Sequence, residues 1–283
     1  MRDLRRCRSA LSLNTATLGH RRAIEDVVDL CAERGFGAIA PWRRDLANRR
    51  TADLASRIRD RGLTVSGLCR STDFTAPSAA GRQGAIDDNA RALDVAAELG
   101  AACYVLVVGS LPVGERDIED ARRQARDGVA ALAERAREAG VPLALEPLHP
   151  MMAADRSCLN TLAQALDWCE AIDPDRRGVL GVIVDAYHVW WDPDLAAGIA
   201  RACREKRVLG FHVSDWLRIT RDLVYDRGMM GDGVIDLRRL RGWLEAGGYA
   251  GPVEVEIFSS ADWWTRPEEK VLDVCLERLL TVC

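Results

Sequence analysis

Lysine is almost missing from this chain, which has Lys206 and Lys270 and otherwise relies on arginine. Its 39 basic residues are outnumbered by 43 acidic ones, for a formal charge of −4. That balance supplies no basic field for nucleic acid or an anionic membrane. Long apolar runs are missing too, since no stretch approaches the ~20 residues of a membrane span. The opening "MRDLRRCRSALSLNTATL" has charge but no sustained apolar segment ahead of a small-residue cleavage site. The nine cysteines are odd in number and contain no CxxC pair, which argues against a disulfide framework. Cys31, Cys103, Cys169 and Cys275 lie inside apolar patterns, where a reduced thiol behaves as a small hydrophobe. These features predict a reducing, cytoplasmic setting. Histidine is scarce, at His20, His149, His188 and His212, so no imidazole-rich centre can be assembled.

What is present is an alternation. Eight short apolar runs begin at Ala10, Gly37, Leu63, Cys103, Pro142, Gly181, Val208 and Pro252. Between them lie helical patterns with charged outer faces, including 22–34, 85–99, 117–139 and 162–172. Glycine recurs where these helices should stop, as in "ERGFG", "DRGL", "ELGA", "EAGV" and "AGGYAG". Strands alternating with helices imply βαβ units and a parallel sheet. Eight units within residues 1–283 predict one α/β domain, a (β/α)8 TIM barrel with its active site at the C-terminal ends of the strands. An open doubly wound sheet is second choice, and no GxGxxG follows the first run to favour it. One connection is long: Trp216 to Val234, with Gly228, Gly231 and Gly233, should be a functional loop on the C-terminal face of the seventh strand. In "VDAYHVWWDPDL", Asp192 reads as a helix cap with Pro193 in the first turn.

Polar residues are unexpected in such strands, and four lie near the C-terminal ends of consecutive ones: Glu146, Asp185, His212 and Glu256. Neighbouring strands are ~4.8 Å apart, so inward-pointing tips can converge on one volume. Three carboxylates and an imidazole cannot be buried together unpaired, and a divalent cation resolves the conflict. Three oxygens and one nitrogen favour Mn2+, then Mg2+, Co2+ or Fe2+, with Zn2+ as a further alternative. Glu254 shares a strand face with Glu256 and is the alternative ligand, although Glu256 lies nearer the strand end. Asp215 and Asp232 are candidates for supporting the ligands. Arg70 and Trp42 are candidate pocket walls. Trp190, Trp191, Trp263 and Trp264 can stack on a sugar, pack a lid or seal a subunit contact.

Together, "LALEPLHP", "VDAYH", "FHVSDW", "RGMMGDGVID" and "GYAGPVEVEIF" resemble the xylose-isomerase-like superfamily of sugar-phosphate isomerases and epimerases, over essentially the whole chain. The resemblance implies that Glu146, Asp185, His212 and Glu256 hold a metal, and that Glu146 and Glu256 also exchange the substrate proton. It further implies that His188 and Arg227 touch substrate. The expected activity is isomerisation or epimerisation of a small sugar or hydroxy-keto compound through an enediolate. The alternative is dehydration of an inosose-like polyol ketone. A related DNA-repair endonuclease comes last, because it needs more histidines and a basic groove. Expected partners are a small carbohydrate-like molecule, no nucleic acid or membrane, and a second copy or three further copies of the chain. His149 and the paired tryptophans depart from the superfamily pattern.

Overall fold

A computed structural model describes residues 1–47 and 49–283. Its strands are β1 (Leu11–Asn14), β2 (Ala38–Ala40), β3 (Thr64–Val65), β4 (Tyr104–Leu106), β5 (Leu143–Leu145), β6 (Leu180–Asp185), β7 (Val208–Val213) and β8 (Val253–Val255). Each falls within or against one of the eight apolar runs. The order β3-β2-β1-β8-β7-β6-β5-β4 is parallel throughout. Parallel bridges from Val65 to Ala101 and from Leu68 to Tyr104 bring the two edges together, closing the sheet into an α/β barrel.

Between the strands run α1 (Ile24–Arg34), α2 (Thr51–Asp60), α3 (Ala79–Leu99), α4 (Ile118–Ala139), α5 (Leu162–Ile172), α6 (Ala186–Val189), α7 (Leu195–Arg204), α8 (Leu237–Ala246) and α9 (Glu268–Thr281). Local chemistry sets their ends. The Asp117 side chain accepts from the N–H groups of Glu119 and Asp120 and caps α4, and Gly140, in the left-handed region, ends it. α3 starts six residues before the expected Ala85, because Ser78 caps it by accepting from Gly81 N–H. The expected cap after β6 is corrected as well. The chain first makes the short turn α6, Asp194 occupies the cap position of α7, and Asp192 instead accepts from Asp194 N–H. No described helix is long and apolar enough to cross a membrane.

The two-residue period of a strand decides which side chains enter the barrel. Leu13, Leu143, Leu145, Val182, Val184, Phe211, Val213, Val253 and Val255 join the main core shared with the helices. The alternate residues Val105, Ala144 and Ile183 form a separate small cluster inside. Glu146, Asp185, His212, Glu254 and Glu256 fall on that inner register. Lateral pairing aligns them, with Asp185 opposite His212 and His212 opposite Glu254.

Candidate metal centre and pocket

Glu146, Asp185, His212 and Glu256 are all buried, and each offers one ligand atom within 4.8 Å of the others'. The residues fit a divalent ion on two observations. First, His212 Nδ1 and Glu146 Oε1 lie 3.0 Å apart but are misaligned for a hydrogen bond, and neither has another partner. Two orphaned buried atoms aimed at shared space form a chelating geometry. Second, the three carboxylates face one guanidinium, that of Arg227, whose Nη1 donates to Asp185 Oδ2 at 3.2 Å and Glu256 Oε2 at 3.0 Å. With His212 neutral, as a metal ligand must be, these carboxylates outnumber Arg227 by two, a shortfall that a divalent cation can make up.

Titration directions reflect that shortage. Burial is the largest influence on Glu256 and, with Glu146 adding, overcomes the opposing Arg227 and holds the carboxyl well above its ordinary range. Burial likewise dominates at Asp185 and raises it, against Arg227. At His212 burial opposes the charge, but Glu254, Glu146 and Glu256 together outweigh it and push the imidazole up to about 10. His188 moves the other way, well below its usual value, through burial and then the neighbouring Arg227. Its Nδ1 lies 3.2 Å from the His149 N–H, and a neutral ring can accept at that nitrogen or at Nε2 but not at both. That Nε2 lies 3.1 Å from Arg227 Nη2 and 3.6 Å from Asp185 Oδ2.

Glu254 is separated from the cluster by the imidazole. It stands 3.4 Å from His212 Nε2, on the far side of the ring from Glu146, and accepts from Asn14, Ser66 and Ser12. It orients His212 so that Nδ1 faces the other ligands. The strand period placed Glu254 inside the barrel, but its role depends on β1 and on Ser66 after β3, which lie far away in sequence. Asp215 and Asp232 do not support the ligands. Asp215 accepts from the N–H groups of Trp216, Gly231, Gly233 and Ile235 and so ties down the long loop. Asp232 faces Arg278 at 3.4 Å.

Above the cluster opens a cavity of about 270 Å³. Glu146, Glu256, His188 and Arg227 reach it, whereas Asp185 and His212 do not line it. Its walls include Trp42, Phe258 and Trp264 on one side and Val105, Val107, Leu148 and Met152 on another, with Arg70 also lining it. Of the four paired tryptophans only Trp264 lines this cavity, its Nε1 donating to Ala16 and Ile257 carbonyls. Trp191 Nε1 donates to the His188 carbonyl, Trp190 packs near Trp216, and Trp263 lies under the Arg266 guanidinium. His149 stacks on Trp216 at 4.6 Å.

The structure is a closed α/β barrel with a buried Glu–Asp–His–Glu cluster, able to hold a metal ion, at the C-terminal ends of β5 to β8. The chain belongs to the xylose isomerase-like TIM barrel family, whose pattern matches residues 28–277. The solved structure of protein SMc04130 from Sinorhizobium meliloti 1021 is 52% identical, covers 98% of this chain and 99% of its own, and superposes with a TM-score of 0.94. The ketose 3-epimerase of Arthrobacter globiformis is 28% identical over 232 residues, 80% of this chain and 73% of the relative. L-ribulose-5-phosphate 3-epimerase UlaE of Escherichia coli is 26% identical over 233 residues, 77% of this chain and 72% of the relative.

Proposed function

We propose that this chain is a divalent-metal-dependent isomerase or epimerase of a small hydroxy-carbonyl compound of the ketose type. The observation that carries the reading is the division within the cluster: all four ligands converge, but only Glu146 and Glu256 also reach the cavity. Those two carboxylates are positioned to exchange a proton with a bound substrate, and Asp185 and His212 serve only to hold the ion. The two epimerase relatives support the same class of reaction.

When bound, the divalent ion supplies Lewis-acid stabilisation of the negative charge that develops on substrate oxygen. One glutamate takes the proton from the carbon next to the carbonyl, and the enediolate is then reprotonated by the glutamate that faces the accepting carbon. Return to the neighbouring carbon gives isomerisation, and return to the opposite face gives epimerisation. The Arg227 guanidinium, 3.1 Å from His188 Nε2, presents donors where a substrate oxygen can accept, with the His188 ring beside it. Phe258 and Tyr187 lie beneath and beside Arg227, with its guanidinium carbon 4.7 Å and 4.5 Å from their ring centres, which fixes its plane.

The test is to load the protein with Mn2+ and follow solvent deuterium into ketoses, hydroxy-keto acids and inososes in D2O. Product analysis separates isomerisation, epimerisation and dehydration. Glu146→Gln and Glu256→Gln should abolish exchange, and Asp185→Ala or His212→Ala should lose metal and activity together while the barrel stays folded. Full activity of the last two variants in chelator-treated buffer would overturn the metal assignment.

A further inference from the structure

The mouth of the cavity carries charge that proton transfer does not use. Arg44, Arg70 and Arg156 follow β2, β3 and β5, and all line the same cavity as Glu146 and Glu256. The floor residues are buried, whereas Arg44 is exposed and Arg70 and Arg156 are half-buried, which places these three at the opening. Arg44 and Arg70 also line an adjoining open groove with Ser71, Thr72 and Asp73.

Many arginines of this protein sit on carboxylates, as Arg57 does on Asp29 and Arg201 on Asp167 and Glu170, and others among the described residues, such as Arg59 and Arg126, do not. Two of the three mouth arginines are of the second kind. Among the described residues Arg44 and Arg156 have no ion-pair partner, and Arg70 has Asp73 at 3.4 Å. Two acids beside these loops are occupied. Asp45 accepts from Thr15, the His20 ring and Trp42 N–H, and Asp88 from Arg43 and Thr72. The floor has its own guanidinium, that of Arg227, paired with Asp185 and Glu256. The mouth is left with three guanidiniums against Asp73, at the outer end of an aromatic-walled cavity.

Resting on the isomerase reading above, we propose that the substrate carries an anionic group, a phosphate ester or a carboxylate, at the end remote from the metal ligands, and that Arg44, Arg70 and Arg156 receive it. Guanidinium forks match the oxygens of either group, and the excess positive charge also speeds capture. Trp42, Phe258 and Trp264 contact the carbon chain between the two ends.

Three matched probes test this on the Mn2+-loaded full chain: a neutral ketose, its terminal phosphate ester, and the ketose bearing a terminal carboxylate, each followed by deuterium exchange. At least one anionic probe should exceed the neutral one by about tenfold or more in kcat/KM, mainly through KM, with the advantage shrinking as salt rises. Which anionic probe wins identifies the group. Arg44→Gln, Arg70→Gln and Arg156→Gln should each lower the anionic-to-neutral ratio, by about tenfold for a direct contact. Their metal content and melting temperature should stay at wild-type levels. Anionic probes that exchange no faster than the neutral ketose overturn this inference and leave the isomerase reading standing. So does a ratio that none of the three substitutions moves. Absence of exchange with all three probes overturns the isomerase reading for ketoses, and this inference with it.

Discussion

Asp215→Asn is the substitution whose effect follows most directly from the structure. The Asp215 side chain is 1% exposed, and its two oxygens accept four backbone N–H groups. Oδ1 takes Trp216 at 2.9 Å and Ile235 at 3.0 Å, and Oδ2 takes Gly231 and Gly233, both at 2.9 Å. An amide replaces one oxygen by an NH2, so two of the four N–H groups face a donor instead of an acceptor. Hydrogen bonds to a charged group contribute ~1.5–3 kcal/mol each, and water reaches part of this loop, so the expected loss is about 2–4 kcal/mol. For a chain of this size that lowers the melting temperature by ~3–7 °C. The loop also carries Arg227, and Gly228 beside it is paired with the Asp215 backbone in both directions, at 2.8 and 2.9 Å. Loosening the loop should therefore lower kcat/KM by ~10–100-fold through misplacement of Arg227, with metal content unchanged because no ligand moves. Calorimetry, hydrogen exchange at Gly231 and Gly233, and metal analysis together make the assay. A variant with wild-type melting and wild-type amide protection would refute the reasoning, as would one that sheds its metal.

Glu254→Gln keeps the volume and an acceptor for Asn14 but removes the charge facing His212 Nε2, so metal affinity should weaken ~10–100-fold in a chelator competition while the barrel stays folded. Metal binding should release protons. The metal-free fold holds Glu256 above the ordinary carboxylate range and His212 up to about 10, and a ligand must give up its proton. Titration calorimetry in buffers of different ionisation enthalpy measures the release, and affinity should rise from pH 6 to pH 8. The same shifts set the sign for the metal-free protein. Both groups keep protons in the folded state that the unfolded chain sheds, so stability present at lower pH is lost as pH rises towards those values. A chelator-treated melting temperature that climbs between pH 6 and 9 would contradict this. Gly233→Ala should disorder the long loop, because an added Cβ would lie 2.1 Å from the Trp216 carbonyl oxygen; proteolysis within 216–234 should accelerate in this variant.

The sequence by itself determined the alternation of strand and helix, and with it the barrel. Each β-run is too apolar to face water, and each helix has one charged face, so one parallel arrangement buries both. It also picked out the four polar residues that converge at the barrel floor. A carboxylate or imidazole at the inward register of a strand tip is costly unless something compensates it, and Glu146, Asp185, His212 and Glu256 recur at the same end of four successive strands. Helix starts were less legible, as at Ser78 and Asp194, because capping depends on a few local hydrogen bonds rather than on period. Only the tertiary structure decided the partnerships between remote segments. Glu254 shares a strand face with Glu256 and reads as the alternative ligand, yet Ser12, Asn14 and Ser66 from β1 and the segment after β3 hold it on the far side of His212. Asp215 lies beside His212 in sequence, yet folding turns its carboxylate to the glycine loop. The same holds for the mouth, where Arg44, Arg70 and Arg156 come from three separate connections and are unremarkable one at a time. Strand period fixes which way a side chain points, but which groups meet there is set by the closure of the barrel.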